Sequence, residues 1–189
     1  MKQLLDFIER YRQVREEELD DIRENVQVAQ FRKNTCLQKQ GESADYAGFI
    51  IKGAVRSFYV DEKGEEHTVS FVFEHQPLFQ LESFMYNMPA ATSSVTLEST
   101  EVYYVSRSNF FRFLEKYPVY EKVLRDILSE YLLLEGKNSQ LLRLSSARER
   151  YERFLSMYPE AVKRAPLKYI ASYLGMAKES ISRIRSGRQ

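Results

Sequence analysis

The C-terminal stretch KYIASYLGMAKESISRIRS concentrates the side chains of this sequence that suit contact with a nucleic acid. A helix is predicted to start there at Ala177 or Lys178. Its polar face is formed by Lys178, Glu179, Ser182, Arg183 and Arg185. Lysine and arginine donate hydrogen bonds to guanine edges, and glutamate accepts one from cytosine. The pattern therefore predicts a helix whose outer face can read bases, and the plain alternative is a solvated face.

A second predicted helix and a glycine turn precede this face. The first helix begins near Leu167, Gly175 supplies the turn, and Met176 packs beneath it. The apolar positions expected to face inward are Ile170, Ala171, Leu174, Ile181 and Ile184. Two short helices joined by a tight turn, with a basic outer face on the second, are typical of a helix-turn-helix. An ordinary pair of antiparallel helices is the alternative.

The charge distribution agrees with a polyanionic partner. Residues 137–189 contain 12 Lys and Arg against 4 Asp and Glu, whereas residues 1–136 contain 16 against 23. A basic C-terminal segment gains affinity for phosphates through release of condensed counterions. The near-zero net charge of +1 conceals this asymmetry.

The sequence gives little support for catalysis, for a disulfide or for metal binding. It contains no glycine-rich phosphate loop, no nucleophile motif and no metal-binding histidine motif. One cysteine, Cys36, excludes an intramolecular disulfide and a four-cysteine metal site. His67 and His75 are isolated, and the carboxylates of EEELDD and DEKGEE lie in charged surface runs. We expect no enzyme activity, no cofactor and no metal.

The elements that position the basic face predict an α+β fold. One or two amphipathic helices are expected within residues 4–24, and short strands separated by turns within residues 26–105, as in a β-sandwich, a jelly roll or a barrel. A short helix capped by Ser106 or Ser108 should end at Pro118. The predicted division is a sensor domain over residues 1–118, a dimerisation helix over 119–143 and a DNA-binding domain over 144–189.

The long helix carries an apolar seam at alternating spacings of three and four. The seam consists of Leu124, Ile127, Tyr131, Leu134, Asn138 and Leu141. Such spacing favours a two-stranded coiled coil, in which a buried Asn138 could set the register. The alternative is a helix lying on the core of its own domain. No apolar run is long enough to span a bilayer, and the charged N-terminus is unlike a signal peptide, so a cytoplasmic protein is expected without a membrane partner.

Together these segments resemble the Crp-Fnr family of regulators over essentially the whole chain. The stretch from Lys178 to Arg183 is similar to the start of that family's recognition helix, and FIIKGAVRSFYV and HTVSFVFE resemble its β-roll. A chain ending almost directly after Arg185 looks like the Bacteroidetes subgroup, with little or no wing. The resemblance implies a homodimer on double-stranded DNA, working with RNA polymerase.

Site roles also follow from the resemblance. Lys178, Glu179 and Arg183 fall at the base-reading positions, and they lie on one outward face of the helix. Lys168, Tyr169, Ser180 and Arg185 are expected mainly to contact phosphate, and Ser182 belongs to the same DNA-binding set.

The ligand motif of the family is altered. The corresponding effector-binding residues here are Gln80, Leu81, Glu82, Ser83, Thr92 and Ser93. Ala90 and Ala91 stand where the phosphate-holding arginine belongs, and no arginine lies between Lys63 and Arg107. An unpaired buried phosphate is costly, so we expect no binding of cAMP or cGMP. An unknown small effector is expected instead. The alternatives are a constitutive DNA binder with a vestigial pocket and a protein-interaction scaffold.

Overall fold

The computed structural model describes residues 1–144 and 146–186, which form a mixed α+β fold. The N-terminal segment, predicted to form one or two helices, forms two, α1 (Lys2–Glu9) and α2 (Glu16–Asn25). The eight strands that follow are β1 (Gln27–Phe31), β2 (Cys36–Gln38), β3 (Tyr46–Lys52), β4 (Val55–Val60), β5 (Glu66–Val72), β6 (Pro77–Leu78), β7 (Ser93–Thr96) and β8 (Thr100–Ser106). We call these strands and their loops the roll. The expectation of many short strands is confirmed.

The roll consists of two four-stranded sheets, with orders β1-β8-β3-β6 and β2-β7-β4-β5. A small apolar cluster centred on Ile50, Val55 and Val102 fills the space between them. Strands β4 and β5 form the predicted hairpin, and Gly64 at its tip takes a φ of 82°. That conformation is easy for glycine and strained for other residues, so Gly64 closes the hairpin.

Three short elements of the roll have too few residues to produce a periodic signal. Strands β2 and β6 and helix α3 (Leu81–Tyr86) were not predicted. Helix α3 ends at Asn87, which adopts the left-handed conformation with a φ of 56°. Only their packing against neighbouring elements marks these segments as regular structure.

After the roll the chain is helical, as predicted. Helix α4 (Arg107–Lys116) is capped by Ser106, whose hydroxyl accepts a hydrogen bond from the Asn109 amide at 3.2 Å. It ends before Pro118, and the long helix α5 (Tyr120–Leu142) follows.

Four helices complete the described chain, and we call residues 146–186 the C-terminal unit. They are α6 (Ala147–Met157), α7 (Pro159–Arg164), α8 (Leu167–Tyr173) and α9 (Lys178–Arg185). Ser146 caps α6 by accepting from the Glu149 amide at 3.1 Å. The hydrophobic core of the unit is continuous with Phe71 and Phe73 of the roll. The division of the chain near residues 118 and 143 stays a prediction.

Candidate nucleic-acid interface and effector cavity

Helices α8 and α9 are joined by a turn at Gly175, whose φ is 61°. Ile170 and Leu174 of the first segment and Ile181 of α9 are buried, and Ile184 is half-buried. The inward positions predicted from spacing therefore do face the core. Burial of these side chains fixes which side of α9 is left for solvent.

The outer face of α9 is open over its whole length. The exposed residues are Lys178, Glu179, Ser182, Arg183 and Arg185, and Ser180 is half-buried. No ion pair is recorded for Lys178, Arg183 or Arg185 within the described residues. The structure thus brings the predicted base-reading set together on one accessible surface. The predicted absence of a wing concerns residues 187–189, which lie outside the described residues.

The two predicted phosphate-contacting residues of α8, Lys168 and Tyr169, differ in their exposure to solvent. Lys168 is exposed. Tyr169 is half-buried and faces the roll, with its ring centroid 3.8 Å from the guanidinium carbon of Arg56. A guanidinium over an aromatic ring at this distance is a favourable cation–π contact. The Tyr169 ring is therefore engaged in a contact with Arg56 of its own chain in this structure.

Arg56 is the centre of the contact between α8 and the roll. Its side chain is buried, and its guanidinium also lies over Phe58, 4.2 Å from the ring centroid. Its Nε donates to the Thr68 hydroxyl at 2.9 Å, and its Nη1 pairs with Glu66 at 2.7 Å. A buried cation is tolerated only when it is paired and hydrogen-bonded, and these partners meet both requirements.

Ser172 on α8 extends this contact along strand β5. Its hydroxyl accepts a hydrogen bond from the Thr68 amide at 2.8 Å and donates one to the Glu66 carbonyl at 3.1 Å. Both bonds use backbone groups of the strand. Helix α8 is consequently fixed in register against β5.

A second contact joins the C-terminal unit to the roll through Arg164 of α7. Its guanidinium makes a two-pronged ion pair with Glu74, at 2.6 and 2.8 Å, and also bonds to Glu98. The hydrogen bond from Arg164 lowers the pKa of Glu74 to about 2, and the Gly53 amide bonded to the same carboxylate acts in the same direction. The two carboxylates raise the pKa of Arg164.

Sequence reasoning missed Arg56, Glu74 and Arg164 as positioning residues. One signal was present, because Arg56 is the only charged residue in the strand run GAVRSFYV. Glu74 and Arg164 lie 90 residues apart, so local spacing carries no information about their pairing.

The predicted effector residues lie around α3 and β7 and divide by role. Gln80 and Thr92 belong to a side-chain network, in which the Thr92 hydroxyl donates to Gln80 Oε1 at 2.8 Å and Gln80 Nε2 donates to Ser94 Oγ at 3.0 Å. Ser83 and Ser93 instead accept hydrogen bonds from backbone amides at 2.7 and 2.9 Å. The second pair holds the roll together, and Ser83 also borders the same cavity as Gln80 and Thr92.

That cavity has a volume of about 310 Å³ and lies between α3, β5 and α5. Its walls include Gln80, Leu81, Glu82, Ser83 and Thr92. Glu135 and Tyr131 of α5 close another side, and Ala91 also lines the space. Among the described residues that line this cavity there is no lysine or arginine, whereas two are carboxylates. The cavity is therefore electrostatically unsuited to a cyclic phosphate.

Four of the six seam residues of α5 pack at least partly on their own chain, whereas Tyr131 and Leu134 are 45% and 40% exposed. Asn138 and Leu141 are buried, and Leu124 and Ile127 are half-buried. Asn138 accepts a hydrogen bond from the Tyr158 hydroxyl and donates one to Glu135 at 3.1 Å. Both ends of the Asn138 amide are thus satisfied within one chain. The prediction that it sets the register of a two-stranded coil is wrong for this arrangement.

The middle of α5 is apolar and solvent-exposed, because all four large apolar side chains of residues 131–134 are exposed. Leu132 and Leu133 are 72% and 69% exposed, and Leu142, further along the helix, is 45% exposed. Exposed apolar side chains gathered in one segment of a helix form a candidate surface for a partner. None of the helices described here is both long and apolar enough to cross a membrane.

Residues 28–117 match the family model of the cyclic nucleotide-binding domain. Comparison with curated proteins returned no match. FixK2 of Bradyrhizobium japonicum is a solved structure with 20% identity and a TM-score of 0.72, and the alignment covers 86% of this chain and 83% of that one.

Two further solved structures have the same fold. The regulator CLP of Xanthomonas campestris, described as c-di-GMP responsive, has 14% identity and a TM-score of 0.73, with 90% of each chain covered. The catabolite activator protein of Thermus thermophilus has 19% identity and a TM-score of 0.58, with 92% of this chain and 83% of that one covered. The chain thus contains a cyclic nucleotide-binding-type roll, and its structural neighbours include regulators of the Crp-Fnr type.

Proposed function

We propose that this protein is a sequence-specific DNA-binding transcription regulator of the Crp-Fnr type and not an enzyme. The observation that carries the proposal is the accessible outer face of α9, which holds Lys178, Glu179 and Arg183 on a core-anchored helix. A helix of this kind can enter the major groove while its partner helix α8 crosses the phosphate backbone. The structural neighbours FixK2 and CLP support the same assignment.

Within this proposal the C-terminal unit divides its contacts by chemistry. Lys178, Glu179 and Arg183 read base edges, with Ser182 beside them on the same face. Lys168, Tyr169, Ser180 and Arg185 contact phosphate. Base contacts determine sequence preference, and phosphate contacts determine register and salt dependence.

We further propose that two copies bind DNA together, through α5. The exposed leucines Leu132 and Leu133 provide the apolar surface for a second α5. A symmetric dimer would present two α9 helices to major grooves about 34 Å apart. RNA polymerase is the expected protein partner at such sites, and the cytoplasm is the expected compartment.

The cavity beside Gln80 and Thr92 is the proposed effector site. Because its carboxylates are Glu82 and Glu135 and its other polar groups are uncharged, we propose a small effector that is neither cAMP nor cGMP. The alternative is a constitutive DNA binder, which recognises DNA without any ligand in this cavity.

The test is selection of preferred sites from randomised double-stranded DNA, followed by salt titrations of variants. Arg183→Ala should lose preference at one base pair of each half-site, by about 1–3 kcal/mol. Lys168→Ala should weaken binding to all sequences equally and reduce the salt slope by about one ion. Arg153→Ala is the matched control, because Arg153 is an exposed arginine of the same unit outside α8 and α9.

Two results would contradict the proposal. If Arg183→Ala retains the wild-type sequence preference, α9 is not the recognition helix. If the wild-type protein selects no sequence at all, a protein-interaction scaffold becomes the better explanation.

A further inference from the structure

A second cavity lies inside the roll, between its two sheets. It has a volume of about 430 Å³ and is lined by β1, β3, β6 and β8 of one sheet and by β2 and β7 of the other. Cavities that bind small molecules typically measure roughly 300–1,000 Å³. We call this space the inner cavity, and we call the cavity beside Thr92 and Glu135 the outer cavity.

The inner cavity exists because small residues occupy strand positions that line it. Ala29 of β1 lies opposite Val102 of β8. Gly48 of β3 lies opposite Tyr104 of β8. All four residues line the cavity, but Ala29 contributes only a methyl group and Gly48 no side chain at all. Protein interiors are normally close-packed, so a space of this size lacks contacts that an apolar molecule would supply.

The walls of the inner cavity are uncharged. Among the described residues that line it there is no lysine, arginine, histidine, aspartate or glutamate. The aromatic walls are Phe31, Tyr46, Phe79 and Tyr104. The outer cavity, in contrast, contains the carboxylates of Glu82 and Glu135. Because an unpaired charge is costly to bury, the inner cavity favours an uncharged molecule.

The two side-chain amides and the serine hydroxyl that line the inner cavity already have partners. Gln80 Nε2 donates to Ser94 Oγ at 3.0 Å, and Gln80 Oε1 accepts from the Thr92 hydroxyl at 2.8 Å. Gln38 Nε2 donates to backbone carbonyls of the loop that follows it, at 3.1 to 3.3 Å. These groups do not need a ligand to satisfy them, so the attraction of the cavity for a ligand is apolar.

The inner cavity is distinct from the outer one, although Gln80 lines both. The hydrogen bonds from Thr92 through Gln80 to Ser94 run between them, since Thr92 lines the outer cavity and Ser94 the inner one. Glu82 and Ala91, which belong to the altered ligand motif, line the outer cavity and not the inner one. A molecule in the inner cavity therefore does not occupy the position of a cyclic phosphate.

We propose that the inner cavity is a binding site for an uncharged, largely apolar small molecule held between the two sheets. The site is additional to the proposed effector site, and it does not depend on DNA binding. Its opening lies at Cys36 and Tyr46, which line the cavity and are exposed to solvent. A molecule entering there is held by dispersion contacts with the aromatic walls and by removal of its apolar surface from water.

Two fluorescent probes of the same ring system test the chemistry of the site. N-phenylnaphthylamine is uncharged, whereas anilinonaphthalene sulfonate carries a negative charge, and both fluoresce more strongly in apolar surroundings. Titration of the full chain with each probe measures its affinity. We expect saturable binding of the uncharged probe and about tenfold weaker binding of the sulfonate, because no cation lines the cavity among its described residues.

Two variants with matched controls locate the bound probe. Ala29→Leu places a larger side chain in the inner cavity and should weaken binding of the uncharged probe about tenfold, whereas Ala91→Leu fills the outer cavity and should not. Tyr46→Ala removes an exposed aromatic wall and should weaken binding about threefold. Its control is Tyr86→Ala, because Tyr86 is exposed and does not line the cavity. Circular dichroism checks that each variant is folded.

Each outcome supports or overturns the inference. Weaker binding in Tyr46→Ala than in Tyr86→Ala, and in folded Ala29→Leu than in Ala91→Leu, assigns the probe to the inner cavity. No saturable binding of the uncharged probe, or equal affinity in the wild type and both inner-cavity variants, overturns the inference. Loss of binding in Ala91→Leu alone places the probe in the outer cavity and overturns it as well. Equally tight binding of the sulfonate contradicts an uncharged ligand. Site selection on DNA tests the proposed function separately, so the two can fail independently.

Discussion

The ion pair between Glu74 and Arg164 provides the most quantitative prediction. Substituting Glu74→Gln keeps the size of the side chain and an oxygen that can accept from the Gly53 amide, but it removes the charge facing Arg164. Because the hydrophobic core runs from Phe71 and Phe73 of the roll into the C-terminal unit, loss of this pair should affect the stability of the whole chain.

The magnitude follows from the pKa of Glu74. A decrease from its ordinary value of 4.5 to about 2 corresponds to about 3 kcal/mol of preference for the ionised carboxylate in the folded protein. The side chain of Glu74 is 28% exposed, and solvent reduces such a contribution. We therefore expect Glu74→Gln to lower the free energy of unfolding by about 1.5 kcal/mol at pH 7.

The pH dependence has a definite sign. A carboxylate whose pKa is lower in the folded state stabilises that state fully above its unfolded pKa, and the contribution is lost as the pH falls through the folded pKa. The difference between wild type and Glu74→Gln should thus be constant near neutrality, begin to shrink near pH 4.5 and approach zero near pH 2.

Urea unfolding followed by far-ultraviolet circular dichroism, repeated across this pH range, measures the difference. Glu160→Gln is the control, because Glu160 lies 3.7 Å from the same guanidinium but is 45% exposed, and it should change stability by less than about 0.5 kcal/mol. Equal stability of Glu74→Gln and wild type at pH 7 would show that the ion pair with Arg164 does not stabilise the fold. A difference that persists undiminished to pH 2 would refute the assignment to ionised Glu74.

Two further predictions concern the effector site and the oligomer. Titration calorimetry should detect no binding of cAMP or cGMP at micromolar concentrations, since no cation lies among the described residues of the cavity at Ala91, and micromolar affinity would contradict this. Sedimentation should show a dimer for the wild type and a folded monomer for Leu132→Glu with Leu133→Glu. Ile127→Glu with Leu134→Glu should give monomers or insoluble protein, because Leu134 is 40% exposed and Ile127 is half-buried on its own chain. A wild-type monomer at tens of micromolar would remove the basis for the dimer.

Features that depend on a few consecutive residues, such as helix caps and turns, were predicted correctly from the sequence. Ser106 caps α4, Gly64 closes the β4–β5 hairpin and Gly175 joins α8 to α9, as the residue types require. Capping and positive-φ turns depend on a few consecutive residues, so they can be read from the chain. The short helix α3 escaped prediction because six residues give no reliable period.

The outer face of α9 can be predicted from the order of its residues, because helical spacing places Lys178 and Arg183 together, opposite the buried Ile181. The contacts of the other helix faces depend on tertiary packing. Spacing identified an apolar stripe on α5 but not whether that stripe meets its own chain or a partner, and Asn138 was misplaced for this reason. It likewise gave no sign that Tyr169 rests on Arg56. Periodicity specifies the direction of a side chain relative to its own helix, whereas its partner depends on long-range packing between segments far apart in the chain.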